Sequence, residues 1–184
     1  MISREEAMEL IKSNVTKQNL IKHMLAVEAI MKGMAEFLGE DKEKWALVGL
    51  LHDVDFDKTF DDPKKHSLIA VDILEGKVDE GIIRAVKSHN FENTGVLPET
   101  SMEFSLIAAD AISGLVIACA LVVPTKKLAD VKAESVVRRY KEKDFARNCN
   151  RDRIYVCEKV GIDRVKFAEI ALKSLQTISE ELGL

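Results

Sequence analysis

The sequence predicts an all-α protein, a compact multi-helix bundle that forms one domain. Apolar residues recur at helical spacing along most of the 184 residues, and glycine (9) and proline (3) are scarce. No alternating run of polar and apolar residues reaches the length of a strand. Hydrophobic residues make up 47% and charged residues 32%, which is typical of a chain with one sizeable core. We therefore expect a single domain over 1–184, with a motif-bearing core over about 17–123 and C-terminal helices over 124–184 packed on it.

The first three helices are the most clearly marked. Ser3 and Glu6 form a capping-box pattern, which predicts a short helix over about 3–13. Apolar residues spaced alternately by four and three positions predict a long amphipathic helix over 17–38. The segment KEKWALVGLLHDV, residues 42–54, predicts a third helix.

The rest of the chain is predicted to be helices separated by short polar loops, with eight to ten helices in all. We expect helices over 63–76, 79–90, about 101–123 and 164–182, two or three shorter ones within 126–160, and loops over 55–62 and 91–100.

The predicted helix near 101–123 contains the run SLIAADAISGLVIACALVV, in which Asp110 is the only charged residue. A membrane span is disfavoured because the run carries polar residues and has no flanking aromatic belt. We expect a buried core helix and no membrane partner. An ionised carboxylate is costly to bury without a cation or hydrogen-bond donors, so Asp110 requires an explanation.

Histidines elsewhere in the chain supply that explanation. Each of the four lies on the inward face, or at the rim, of a predicted helix, and one of them precedes an aspartate in the doublet His52-Asp53. A single buried histidine is more often a hydrogen-bonded core residue than a ligand. Four histidines together with two aspartates favour a shared cation, and the predicted ligands are His23, His52, Asp53, His66, His89 and Asp110. Imidazole and carboxylate ligands suit one or two ions of manganese, iron, cobalt, nickel or zinc better than calcium.

The three cysteines, Cys119, Cys149 and Cys157, are odd in number and have no C-x-x-C spacing. A disulfide framework or a thiolate zinc site is therefore unexpected. No secretory signal pattern follows Met1. We expect a cytoplasmic protein in which the cysteines are small apolar fillers.

Charge is spread unevenly along the chain. Residues 1–123 carry 13 basic and 21 acidic side chains, whereas residues 124–153 carry 10 basic and 5 acidic ones. A basic segment in an acidic protein indicates either a phosphate-bearing ligand or partner, or a solvated face of mixed charge.

The order of His23, the doublet His52-Asp53 and then Asp110 resembles the HD superfamily of metal-dependent phosphohydrolases. The additional His66 and His89 look like the longer pattern of its HDIG-type and HD-GYP-type subfamilies. The segment ADAISGLVIACALVVPTKKLADVKAESVVRRYKEKDFA also looks like that of uncharacterised bacterial and archaeal HDIG-type proteins.

The resemblance implies an all-α fold and a phosphohydrolase that uses metal-activated water against a small phosphate ester, with a nucleotide favoured. It implies a first ion held by His23, His52, Asp53 and Asp110, and an Asp53 carboxylate that bridges to a second ion held by His66 and His89.

The chain departs from the family pattern at three positions. Asp55 stands where HDIG members have glycine, and Asn90 follows His89 where two-metal members often carry a second histidine. Phe56 stands where nucleotidase-type members place a glutamate that assists the water.

Further candidates come from residues close to the doublet in sequence. Carboxylates after the doublet orient water or a ligand, or are solvated turn residues, and nearby lysines bind phosphate as point charges or are merely exposed. The predicted catalytic residues are Asp53, Asp55 and Asp57, and the predicted substrate-binding residues are Lys58, Lys65 and Asn90.

Two other functions stay open on the sequence alone. Some HD-fold proteins with a similar ligand set use two irons for oxygen chemistry. A regulatory or nucleic-acid-associated metal-binding module would use the basic segment 124–153, although nucleic acid is the less favoured partner. The sequence leaves the oligomeric state open.

Overall fold

The computed structural model describes residues 1–184 and contains helices but no strands, which confirms the predicted all-α class. The α-helices are α1 (Arg4–Asn14), α2 (Gln18–Leu38), α3 (Lys42–Leu51), α4 (Phe56–Thr59), α5 (Leu68–Leu74), α6 (Glu80–His89), α7 (Phe91–Thr94), α8 (Ser101–Val122), α9 (Ala133–Arg139), α10 (Arg151–Ile154), α11 (Arg164–Gln176) and α12 (Ser179–Leu182). Two 3₁₀ helices cover Leu128–Asp130 and Tyr155–Val160. The helices outnumber the predicted eight to ten because α4, α7, α10 and α12 are single turns of 4 residues.

The predicted capping box is present, and two further helix ends are capped. The Ser3 hydroxyl accepts from the Glu6 backbone N–H at 3.2 Å, and the Glu6 carboxylate accepts from the Ser3 N–H at 2.7 Å, which completes the capping box of α1. Helix α2 ends at Gly39, whose φ of +75° is in the left-handed region that glycine favours. The Asp41 carboxylate caps α3.

Helices α2 and α8 form the centre of the bundle. Helix α2 packs against α3, α8 and α11, and α8 also contacts α6, α9 and α10. By length and composition α8 could cross a bilayer, but 61% of its most apolar window is buried inside the protein. This agrees with the predicted core helix. One cluster of 45 buried apolar residues runs from Ala7 to Leu182, so the helices after residue 124 share the core of those before it.

Helix α3 approaches α2 unusually closely, and a glycine permits the approach. A Cβ atom added at Gly49 would lie 2.7 Å from the Val27 carbonyl oxygen and 2.9 Å from the Glu28 Cα. This contact is tighter than packed side chains tolerate. Because His52 follows Gly49 by one turn, the close approach also brings His52 to His23 of α2, with their Nε2 atoms 3.2 Å apart.

The predicted helix over 63–76 begins late, at Leu68. The Asp55 carboxylate accepts hydrogen bonds from the backbone N–H groups of Ser67 and Ala70, and Ser67 has a φ of +69°. These bonds hold the residues before Leu68 in turns, so His66 lies in a turn rather than in a helix. The predicted loops 55–62 and 91–100 each contain a short helix, and the predicted helix over 164–182 divides into α11 and α12.

Candidate metal centre

A cavity of about 360 Å³ gathers most of the predicted ligands where α2, α6 and α8 meet the turns after α3. The residues that line it are Leu20, His23, Asp53, Phe56, His66, His89, Asn90, Asp110 and Arg153. His52 is fully buried and does not line the cavity, but its Nε2 atom contacts Asp53, which does.

The Asp53 carboxylate lies at the centre of the histidines. Its Oδ2 atom is 3.6 Å from the His23 Nε2 and 3.5 Å from the His52 Nε2. Its Oδ1 atom is 3.3 Å from the His66 Nε2 and 3.5 Å from the His89 Nε2. One carboxylate thus faces two histidine pairs, one from each of its oxygens, and each set of three residues is compact enough to hold an ion.

Asp110 lies beside the first of these sets, with its Oδ1 atom 3.3 Å from the His23 Nε2, while the compact set itself consists of His23, His52 and Asp53. The two Nε2 atoms within each histidine pair are 3.2 Å apart for His23 and His52, and 3.1 Å apart for His66 and His89. Ligand atoms held about 2.0–2.2 Å from one first-row ion lie roughly 3.0–3.5 Å from each other. The spacing of the donors therefore fits such ions.

Backbone carbonyl groups fix the rings of two histidines. The His52 Nδ1 atom is 2.8 Å from the Gly49 carbonyl oxygen, and the His89 Nδ1 atom is 2.5 Å from the Val86 carbonyl oxygen. A carbonyl oxygen only accepts, so each Nδ1 atom carries a proton, and in the neutral ring the Nε2 atom is then the one with a lone pair.

Side chains fix the other two rings in the same way. The His66 Nδ1 atom donates to the Asp55 carboxylate at 2.9 Å. The His23 Nδ1 atom is 3.2 Å from the Ser113 hydroxyl, which donates its own proton to the Asp110 carbonyl at 2.8 Å and therefore accepts from His23. With all four Nδ1 atoms engaged, the four Nε2 atoms converge on the Asp53 carboxylate and would present four lone pairs if every ring were neutral. Such an arrangement repels itself unless a proton or a metal cation lies among the nitrogens.

The pKa shifts of the aspartates and histidines also indicate that positive charge is stabilised at this site. Burial would raise the pKa of Asp110, but the hydrogen bond and charge of His23 lower it to about 2. Burial likewise opposes ionisation of Asp53, yet the surrounding histidines hold its pKa well below the ordinary value. Burial lowers the pKa of His52 to about 4 and so keeps it neutral, whereas hydrogen bonds to Asp53 and Asp55 outweigh burial and raise the pKa of His66 to about 9. Two ionised carboxylates thus lie among histidines of which at least one is fully neutral near pH 7.

The two aspartates that follow the doublet lie outside the cavity lining. Asp55 is fully buried and accepts from Ser67, Ala70 and His66, so it orients a histidine. Asp57 accepts from the Thr16 backbone N–H at 2.7 Å and its hydroxyl at 2.9 Å, at the junction of α1 and α2. The geometry gives neither residue contact with the cavity, in contrast to the catalytic roles expected from the sequence.

The predicted phosphate-binding lysines are also directed elsewhere. Lys58 donates to the Asn14 side chain at 2.6 Å, and Lys65 pairs with Asp62 at 3.1 Å on the surface. Asn90 does line the cavity, where its amide donates to the His66 carbonyl at 2.9 Å. Of the three predicted substrate-binding residues, the structure brings only Asn90 to the site.

Sequence reasoning missed Arg153, which lines the cavity from α10. It stands 43 residues after Asp110 within a segment rich in basic residues, and no local pattern distinguishes it from its neighbours. A larger groove of about 660 Å³ lies between α2 and α11, but it contains none of the clustered histidines or aspartates.

Comparison with known proteins decides the family. The model of the HD domain family matches residues 20–115, about half of the chain, and includes all six predicted ligands. The chain belongs to the HD domain family. This confirms the resemblance drawn from the order of the histidines and aspartates, and it places the protein in a superfamily of metal-dependent hydrolases.

Two curated relatives of the chain share the name Ribonuclease Y. The chain is 30% identical over 172 residues to Ribonuclease Y of Pseudothermotoga lettingae, a match that covers 90% of this chain and 33% of that protein. It is 37% identical over 99 residues to Ribonuclease Y of Nitratidesulfovibrio vulgaris (strain DP4), covering 53% of this chain and 18% of the other. The chain thus spans between about a fifth and a third of the length of these relatives. No solved structure matches it significantly.

Proposed function

We propose that this HD-family protein is a metal-dependent phosphohydrolase that acts on a small phosphate ester, with a nucleotide as the favoured substrate. One observation carries the proposal: the Asp53 carboxylate faces two pairs of histidine Nε2 atoms, and every Nδ1 atom is already engaged. That arrangement suits a divalent cation, which the Nε2 atoms and the Asp53 carboxylate would share.

The donor set fits the implied metal. It contains imidazole nitrogens and carboxylate oxygens and no sulfur, which suits manganese, iron, cobalt, nickel or zinc. His23, His52, Asp53 and Asp110 would hold one ion, and Asp53, His66 and His89 would hold a second. A divalent ion bound there lowers the pKa of water and neutralises charge on phosphoryl oxygens.

The remaining residues of the cavity shape the site for a substrate. Leu20 and Phe56 give it apolar walls, and Asn90 and Arg153 are its uncharged and cationic hydrogen-bond donors. A volume of about 360 Å³ lies at the lower end of the range for small-molecule sites, roughly 300–1,000 Å³. A phosphate ester about the size of one nucleotide matches that space.

The test is metal analysis of the purified protein, followed by a phosphate-release screen across nucleotides with added manganese, cobalt or nickel. We expect stoichiometric metal and release that disappears in Asp53→Ala. Asp57→Asn is the control, since Asp57 lies four residues after Asp53 but outside the cavity. Stoichiometric metal without phosphate release would overturn the hydrolase proposal, and an air-sensitive iron spectrum in that protein would favour oxygen chemistry instead.

An RNA phosphodiester is the second candidate substrate. Two relatives that match this chain carry the name Ribonuclease Y, and a residue of the basic segment 124–153 reaches the cavity. Incubation with a short labelled single-stranded RNA, beside a mononucleotide under the same metal, separates the candidates. Cleavage of internal linkages with little release from mononucleotides would favour RNA.

A further inference from the structure

We infer that Arg153 binds the phosphate group of the substrate in the metal centre, an inference that rests on the proposed phosphohydrolase function. Arg153 lies beyond the matched family region, which ends at residue 115, and was singled out by no sequence pattern. It is the one lysine or arginine that lines the cavity with His23, His66, Asp53 and Asp110.

The Arg153 guanidinium is held in place but retains free donors. One of its nitrogens donates to the His89 carbonyl, on the backbone of a predicted ligand. The nearest carboxylate, on Glu92, is 3.8 Å away and about half exposed. The Nε–H group is buried and has no hydrogen-bond partner. A guanidinium has five N–H donors, so most of this one's capacity is unused by the protein.

No carboxylate of the metal centre is paired with the Arg153 guanidinium. Its ion-pair partner within 4.0 Å is Glu92, and neither Asp53 nor Asp110 contacts it at that distance. A fixed positive charge beside a site for divalent cations weakens cation binding unless an anion joins them. A phosphate provides that anion, because its oxygens accept from the planar fork of a guanidinium and from metal ions together.

Arg151, two residues before Arg153, helps to explain how Arg153 comes to face the cavity. Arg151 donates to the carbonyl oxygens of Glu142 at 3.1 Å, Ala146 at 2.7 Å and Cys149 at 2.6 Å. These bonds tie the start of α10 to the irregular segment before it, and α10 packs against α8, the helix that carries Asp110. Two arginines of the basic segment thus differ in their contacts: Arg151 hydrogen-bonds to the backbone of the segment, and Arg153 lines the cavity.

The experiment measures binding of inorganic phosphate to the manganese-loaded protein by isothermal titration calorimetry, with metal content determined on the same samples. We expect Arg153→Gln to weaken phosphate binding about 10–100-fold, as expected for losing a charge-assisted hydrogen bond, with the manganese content unchanged. Arg153→Lys keeps the charge but loses the fork, so an intermediate affinity is expected. Arg138→Gln is the matched control, because Arg138 lies in the same basic segment, is well exposed and is absent from the cavity lining.

Wild-type phosphate affinity in Arg153→Gln would overturn the inference, as would a loss of manganese in place of a loss of phosphate. The proposed function fails separately. If the wild-type protein binds phosphate through Arg153 but hydrolyses no ester, the inference stands without the function. If it hydrolyses esters and Arg153→Gln keeps both phosphate affinity and kcat/KM, the function stands without the inference.

Discussion

Replacing Asp55 by asparagine should disable one half of the metal centre while leaving the fold in place. Asp55 does not line the cavity, and its two oxygens accept hydrogen bonds from different groups. The Oδ2 atom accepts from the backbone N–H groups of Ser67 at 2.8 Å and Ala70 at 3.0 Å, and the Oδ1 atom accepts from the His66 Nδ1 at 2.9 Å.

An asparagine has one oxygen to share among these three donors. The two backbone N–H groups are buried and costly to leave unpaired, so the oxygen is expected to stay with them. The amide NH₂ group then faces His66, whose Nδ1 atom must become the acceptor. The proton of the ring moves to its Nε2 atom, which loses the lone pair that points towards Asp53.

The expected loss of metal affinity at the half formed by His66 and His89 is about 10–100-fold, as for other partners that orient metal-ligating histidines. This corresponds to roughly 1.4–2.7 kcal/mol. The stability of the fold should fall by only about 1.5–3 kcal/mol, because one hydrogen bond to a charged group is lost while both backbone bonds remain.

The assay is a competitive metal titration against a chromophoric chelator, with the melting temperature measured on the same variant. Asp57→Asn is the control: it changes a carboxylate two residues away that bonds to Thr16, and it should bind metal as the wild type does. Wild-type affinity in Asp55→Asn, or an equal loss in both variants, would refute the tautomer argument.

Three more predictions concern the ions and the fold. Asp53→Ala should abolish metal retention, and Asp110→Asn should reduce it, because a neutral amide supplies no charge to the ion. Elemental analysis of the purified variants measures both effects, and full metal content in both variants would exclude these two residues as ligands. Chelation should lower the melting temperature by about 5–10 °C if metal saturates the site at 100 times its Kd, and calorimetry with and without EDTA checks this. Gly49→Ala should destabilise the protein to chemical denaturation by about 1–3 kcal/mol, since its Cβ meets the backbone of Val27. Gly81→Ala, whose Cβ meets only flexible side chains, should be nearly neutral, and equal losses would contradict the packing argument.

Local signals explain what the sequence could predict. The capping box at Ser3 and Glu6 and the apolar stripe of α2 depend on residues within one or two turns, and both appear where expected. The order of His23, the doublet and Asp110 is a family pattern. That pattern predicted that His23 and Asp110, which are 87 positions apart, belong to one site, and helical periodicity alone could not have predicted this.

Closeness in sequence was a poor guide to contact with the cavity. Lys58, Lys65 and Asp57 lie within 13 positions of the doublet, but their side chains turn to Asn14, Asp62 and Thr16. Arg153 lies 100 positions after Asp53 and lines the same cavity. The late start of α5 has a similar origin, because hydrogen bonds that reach 12 and 15 residues forward from Asp55 decide it.

The charge argument that began with Asp110 applies more strongly to Asp53. Asp110 belongs to the most apolar helix, but its side chain keeps 27% of its exposure at the edge of the cavity. The Asp53 side chain keeps only 9%, with imidazole nitrogens facing both of its oxygens. The desolvation cost of an ionised carboxylate rises with burial, so Asp53 has the greater need of a cation. Removing Asp53 should therefore cost more metal affinity than removing Asp110, because only Asp53 serves both halves of the centre.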